Sequence, residues 1–183
     1  MALTDSNMLP LGTKAPHFNL RDVLTDKQVS LENSSSKGTV IIFMCNHCPY
    51  VIHVIKGLVK LSNKYKDDGI NFIGINSNDI VKYPDDSPEN MKKFAQEYKI
   101  NFPYCFDETQ EVAKAYNAAC TPDFYLFDNS LQLVYRGRMD ESRPYSQIPV
   151  TGIDLSRAID IMLKGDKIPD LQYPSAGCNI KWK

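Results

Sequence analysis

The sequence predicts an α/β fold, a mixed central sheet with helices on both faces. Three observations carry that expectation. Residues 39–44 and 70–75 are continuous apolar runs rich in β-branched side chains, the pattern of strands buried on both faces. Between them Val51, Val54, Ile55, Leu58, Leu61 and Tyr65 recur at spacings of three and four, which gives a helix one apolar face. Strand, helix and strand in that order form a parallel unit with a right-handed crossover. Further on, the runs 124–127 and 131–136 flank the turn signal Asp128-Asn129-Ser130, so an antiparallel hairpin makes the sheet mixed.

The other elements follow in chain order. Residues 15–20 read as an extended segment and 27–31 as a short strand, followed by a loop at Ser34-Ser35-Ser36-Lys37-Gly38. Asp68-Gly69 stops the first helix. Residues 77–88 are polar and proline-bearing, hence a loop, and Pro88 suits the first position of an inserted helix with Met91, Phe94, Ala95 and Tyr98 on its buried face. A short strand is expected in 101–106 and a short helix in 110–116. Asp154 is positioned to cap a last helix carrying Leu155, Ala158, Ile159, Met162 and Leu163. From Gly165 onward no periodicity is visible. The expected division is one domain over 10–165, with an N-terminal extension, and a tail over 166–183 packed on it.

Composition excludes several functions. With 21 basic and 22 acidic residues the formal net charge is -1, which supports neither nucleic-acid binding nor an anionic membrane surface. No stretch approaches the roughly 20 apolar residues of a membrane span. The first residues lack a basic segment followed by an apolar one, so a cytoplasmic location is expected. Five cysteines, at 45, 48, 105, 120 and 178, are an odd number, unlike a fully paired secreted framework. In a reducing compartment a close pair points to redox or metal chemistry.

That pair is Cys45-Asn46-His47-Cys48, at the junction of a buried strand and a helix. Unpaired amides and the helix dipole at a helix N-terminus favour an anion, so a thiolate there is stabilised and attacks disulfides readily. Cys45 is expected to be the nucleophile and Cys48 the thiol that resolves a mixed disulfide. His47, as imidazolium, would stabilise the thiolate and make the disulfide more oxidising. A closed zinc site takes four ligands, and no second Cys-x-x-Cys or paired His motif supplies them, so no metal is expected. His53 reads as a packed or surface histidine.

The order of elements, the cysteine pair and Thr121-Pro122 ahead of the hairpin together resemble the thioredoxin superfamily. The resemblance implies a thioredoxin-like fold and a cis Thr121–Pro122 bond opposite the cysteines. It also implies a Thr121 backbone that pairs with an extended substrate, making Thr121 and Pro122 substrate-binding residues. The start Ala15-Pro16-x-Phe18-x-Leu20, with Val29-Ser30-Leu31 and later Leu133-Val134-Tyr135-Arg136-Gly137, is similar to the peroxiredoxin-like branch, the alkyl hydroperoxide reductase/thiol-specific antioxidant group. The ending Gly177-Cys178-Asn179-Ile180-Lys181-Trp182-Lys183 resembles the tail of bacterial thioredoxin-like proteins sharing the Cys-Asn-His-Cys-Pro stretch.

The sequence also departs from these patterns. Gly38 and Ile42 stand where peroxiredoxins carry Pro and Thr or Ser. Met44 replaces thioredoxin's Trp, and no acid lies in 39–44, so the usual internal proton acceptor is missing from that strand. The expected activity is a thiol–disulfide oxidoreductase, without cofactor, acting on protein or small-molecule disulfides and thiols. The alternatives are a peroxide reductase using the same cysteines, or a metal- or protein-binding module on the same fold, holding a metal through Cys45, Cys48 and His47. Cys120 and Cys178 are candidate auxiliary thiols, each weighed against a buried inert role, and Cys105 reads as core. Residues 82–87 read as a solvated loop bordering the site, and Asp85-Asp86 as an incidental cation site at most.

Overall fold

A computed structural model of the chain describes residues 3–31 and 36–183. The expected loop residues Ser34 and Ser35 lie outside the described residues. Ten strands and four α-helices run β1 (Leu3–Asp5), β2 (Asn19–Asp22), β3 (Gln28–Ser30), β4 (Gly38–Phe43), α1 (Pro49–Tyr65), β5 (Ile70–Asn76), α2 (Pro88–Tyr98), β6 (Tyr104–Phe106), α3 (Glu111–Ala115), β7 (Cys120–Thr121), β8 (Asp123–Asp128), β9 (Leu133–Gly137), α4 (Ile153–Leu163) and β10 (Ala176–Asn179) among the described residues. A 3-10 turn covers Pro84–Asp86.

The main sheet has seven strands in the order β3-β2-β6-β5-β4-β8-β9. Strands β4, β5 and β6 are parallel and the others antiparallel, so the sheet is mixed. The alternation of side chains along β4 divides two cores. Val40 and Ile42 face a cluster built with Val51, Ile55 and Leu58 of α1, Met91 and Phe94 of α2, and Leu155 and Ile159 of α4. Ile41 and Phe43 face a second cluster with Ala113 of α3, Tyr116, Tyr125 and Phe127. Helices thus cover both faces, as the apolar runs required. Among the described residues no helix is long and apolar enough to cross a membrane.

Two expectations are corrected. Asp154 does not cap α4. Gly152, in the left-handed region at φ 67°, is the N-cap, and Asp154 sits in the first turn where it accepts from Arg138 Nε at 2.6 Å. Asp140 ties this helix start instead, accepting from the Thr151 and Gly152 amides at 2.8 and 2.6 Å. The tail, aperiodic in sequence, contains a strand. β10 pairs antiparallel with β1 on one side and β7 on the other, forming a second sheet of order β1-β10-β7. Four residues are too few for a period-two signal, and Ala176 and Gly177 carry little side chain to display it.

The tail is anchored along its length. Arg138 N donates to Tyr173 O at 3.1 Å, and the Arg138 guanidinium lies 4.6 Å from the Tyr173 ring centroid. Ser175 Oγ donates to Pro122 O at 2.5 Å. At the far end Asp79 N and Gln110 Nε2 both donate to Lys181 O, at 2.8 and 2.9 Å, while Lys181 N donates to Asn78 Oδ1 at 2.8 Å.

Candidate functional site

β4 ends at Phe43 and α1 begins at Pro49, which leaves Met44 to Cys48 as a short connection at the C-terminal end of an interior strand. Pro49 fits the first helical position because its missing N–H is an orphan there anyway. This start determines which cysteine meets the helix terminus. Cys48, with extended φ/ψ of -73° and 121°, is the N-cap. Cys45 lies before the first turn. Cys45, expected near the helix N-terminus, thus stands on the strand side of this cap.

Electrostatics follow this geometry. The Cys45 thiol beside it lowers Cys48 to about 5, helped by the Cys178 thiol, the Val51 amide and the Thr121 hydroxyl against the opposing effect of burial. Cys45 is pushed the other way, first because it donates to Cys48, then by burial and by the Asp86 carboxylate. As a thiol, Cys48 donates to Thr121 O at 3.1 Å, and Cys45 Sγ lies 3.5 Å from Thr121 Oγ1. The Thr121–Pro122 bond is cis. Thr121 and Pro122 thus stand against the cysteine pair.

His47 is oriented by a carboxylate that sequence reasoning placed in a solvated loop. Asp86 is fully buried. Its Oδ2 lies 2.8 Å from His47 Nδ1 and accepts from Asn78 Nδ2 at 2.7 Å, while Oδ1 accepts from the Asn46 amide at 2.8 Å. Asp86 raises the His47 pKa above its ordinary value, against the effect of burial. Burial alone would raise Asp86, yet the contacts from His47, Asn78 and Asn46 hold it below the usual carboxylate range. Tyr83 stacks on the His47 ring, 5.7 Å between centroids and 7° between planes. Residues 82–85 are exposed, as a solvated loop bordering the site requires, but the reading fails at Asp86, which the chain folds inward at the 3-10 turn. The one signal that could have found it was a carboxylate in a proline-bearing turn adjacent in fold order to the motif.

Tyr104 is a second residue that the sequence did not mark. Its hydroxyl donates to Asn46 Oδ1 at 3.0 Å and is fully buried beside Cys45, which adds to the rise of its pKa caused chiefly by burial. Asp123 supplies a buried acid on β8, where β4 lacks one. Burial raises it to about 8, and it accepts from Tyr125 Oη at 2.8 Å. It pairs in register with Phe43, on the side of the sheet that holds Tyr125.

The remaining thiols separate clearly. Cys105 in β6 is raised to about 12 by burial and Asp22. Cys120 is raised far out of the working range, mainly by burial, and its sulfur lies 3.8 and 4.0 Å from the carbonyl oxygens of Pro122 and Ser175. Cys178 is brought to the motif. It lies opposite Thr121 in the β10–β7 ladder and hydrogen-bonds with the Cys48 sulfur. His53 is set apart, with Nε2 3.0 Å from Ser142 Oγ.

Two further features define the site. Cys45 and Cys48 are 1% and 0% exposed, so neither sulfur reaches solvent. The Thr121 backbone edge, expected to take an extended substrate, is already paired with β10. A cavity of only about 10 Å³ remains beside Pro122, bounded by Tyr50, His53 and Ala176. An extended chain can pair with Thr121 only after β10 leaves. Cys45 Sγ, a His47 ring nitrogen and an Asp86 oxygen lie within 4.8 Å of one another, and these three are the described residues that could hold a metal ion. A closed zinc site would need a fourth donor.

The chain is similar to known proteins in family and in fold. The model of the AhpC/TSA family matches residues 11–136. The crystal structure of an uncharacterized conserved protein from Geobacillus kaustophilus is 56% identical, with a TM-score of 0.97 over 100% of this chain and 97% of that one. The thiol-disulfide oxidoreductase ResA of Halalkalibacterium halodurans is 26% identical over 140 residues, 75% of this chain and 74% of that protein. The thioredoxin domain of a thiol-disulfide oxidoreductase from Bacteroides vulgatus superposes with a TM-score of 0.61 at 24% identity, over 74% of this chain and 90% of that one, which shows the thioredoxin-like fold.

Proposed function

The chain belongs to the AhpC/TSA family, and we propose that within it this protein is a thiol–disulfide oxidoreductase working through Cys48 and Cys45. The observation that carries the reading is the position of Cys48. Cys48 is the N-cap residue of α1, and its sulfur lies beside the Cys45 thiol and against Thr121, next to the cis Pro122. The named activity of the ResA relative supports the reaction type.

Cys48 is taken as the attacking sulfur because it is the residue at the N-cap of α1, where the helix terminus favours an anion. The Cys48 thiolate attacks one sulfur of a substrate disulfide and the other leaves as thiolate. Cys45 then attacks the Cys48 sulfur of the mixed disulfide. A Cys45–Cys48 disulfide forms, the second substrate thiol departs, and the Cys45 proton passes to it. His47, held by Asp86, is the titratable group beside the pair that can take or give a proton during the exchange. Protein thiols and disulfides are the substrate class, and the cytoplasm is the proposed location.

Insulin reduction with a dithiol donor tests the reading. The wild-type chain should turn over, and Cys48→Ser should abolish turnover. Equal activity in that variant would sink it. Membership of the AhpC/TSA family favours a second reading, peroxide reduction in which Cys45 attacks the peroxide oxygen, forming a sulfenic acid as the O–O bond breaks, and Cys48 resolves it with loss of water. Peroxide consumption with a dithiol donor decides that question separately.

A further inference from the structure

We infer that Cys178 is a second resolving thiol for Cys48, delivered by the chain's own C-terminal strand. This rests on the dithiol reading above and adds a third redox residue to it.

The placement comes from three independent contacts. Cys178 is directly opposite Thr121 in the antiparallel β10–β7 ladder, and Thr121 O is 3.1 Å from Cys48 Sγ. The Cys178 thiol hydrogen-bonds with the Cys48 sulfur, so Cys48 sits between two thiols, one from its own motif and one from β10. β10 itself lies against α1, the helix that Cys48 caps. β10 also occupies the backbone edge where a substrate strand would lie. Cys178 therefore stands in the position of a substrate cysteine, covalently tethered to the enzyme. Tethering gives it a high effective concentration at Cys48. Neither Cys105 nor Cys120 has these contacts.

At rest Cys178 is protonated, because burial and its bond to Cys48 raise it to about 12. It reacts only when a leaving thiolate takes its proton. Once Cys48 has attacked a substrate disulfide and one substrate thiol has left, the Cys178 sulfur attacks the Cys48 sulfur of the mixed disulfide. The Cys48–substrate S–S bond breaks as the Cys48–Cys178 bond forms. The substrate sulfur leaves with the electron pair and accepts the proton from Cys178. Two protein thiols are oxidised and one substrate disulfide is reduced to two thiols, so the step balances without a further reagent. Cys45 stays reduced in this branch, and exchange with it converts Cys48–Cys178 to Cys45–Cys48 with no net oxidation.

The test uses the full chain, reduced and then exposed to oxidised glutathione, with acid quench, alkylation and non-reducing tryptic mapping. Trypsin places Cys45 and Cys48 on peptide 38–56 and Cys178 on peptide 168–181, so a cross-link between these peptides reports the inferred bond and fragmentation assigns the sulfur. In Cys45→Ser the cross-link from Cys48 to Cys178 should be the dominant disulfide, with loss of alkylatable Cys178. In Cys178→Ser only the bond within 38–56 should remain. The wild-type chain provides the same readout where a variant fails to fold, since Cys178 should lose alkylation at early quench times, before exchange with Cys45 returns it to the thiol. The inference is overturned if 38–56 closes on itself in the wild type while Cys178 stays fully alkylatable there and Cys48 of Cys45→Ser accumulates only glutathione. That outcome leaves the proposed function intact. If the wild type forms neither bond and does not reduce insulin, both fall.

Discussion

His47 depends on a neighbour thirty-nine positions away in sequence. Asp86 fixes its Nδ1 side, Tyr83 covers one face, and Asn78 holds the second contact on the same carboxylate oxygen. The positive charge of the ring is thereby shared with Asp86 before it reaches either thiol. This differs from an imidazolium acting on Cys45 alone, as the motif had indicated. Asp86→Asn should lower the His47 titration midpoint toward the ordinary 6.5, read by proton NMR of the ring. A midpoint that does not move would remove Asp86 from this role. The linkage to stability has a defined sign. His47 is raised in the folded state, so its contribution is complete below 6.5 and fades as pH rises through the folded midpoint. Asp86 is lowered, so its contribution is present above 3.8 and fades as pH falls through its folded value. The melting-temperature gap between wild type and Asp86→Asn should be widest between 3.8 and 6.5 and narrow on the alkaline side.

At the scale of elements, β10 is the part that sets access to the sulfurs. It is hydrogen-bonded on both edges, and its approach to β7 is close. A Cβ on Gly177 would meet Thr121 O at 2.0 Å and Pro122 Cδ at 3.3 Å. The backbone oxygen cannot yield as a flexible side chain would, so glycine is required for contact here. The strand is also coupled to the histidine. Asn78 accepts from Lys181 N and donates to Asp86, so one side chain joins the tail to the carboxylate behind His47. Gly177→Val should push β10 from the Thr121 edge. The expected cost is about 1–3 kcal/mol in denaturant unfolding, within the usual range for a single disruptive substitution. Alkylation of Cys48 in the native protein should accelerate in that variant. Loss of stability with unchanged Cys48 protection would show that β10 does not control access.

For the whole molecule, the sheet separates the site and its helices from a second, aromatic core. Tyr116 is buried at its centre, with ring centroids 5.6 Å from Phe43 and 5.9 Å from both Tyr125 and Phe127. Its hydroxyl donates to Pro16 O at 2.9 Å, tying the N-terminal segment to the sheet. Tyr116→Ala should cost about 3–5 kcal/mol through the cavity it leaves. Tyr116→Phe should cost about 1 kcal/mol for the lost hydrogen bond. Urea unfolding of the two variants checks both values, and near-equal losses would contradict this account of the core.

Much of this architecture was legible before folding. The β4 and β5 runs are apolar because both faces are covered, and α1 carries a stripe because only one of its faces is. Thr121-Pro122 was recognisable from its place ahead of the hairpin, and Cys45-x-x-Cys48 from its place after β4. Those signals are local, encoded by spacing and residue type within a dozen positions. By itself the sequence determined the order of the main helices and central strands, the family and the Cys45-x-x-Cys48 spacing. Which carboxylate holds His47, what Cys48 faces, and where Cys178 lies were decided by tertiary structure alone. Each is a meeting of segments far apart in the chain, Asp86 with His47, Thr121 with Cys48 and Cys178 with Thr121. No periodicity records such meetings, because they arise only when packing of the two cores brings those backbones within hydrogen-bonding distance.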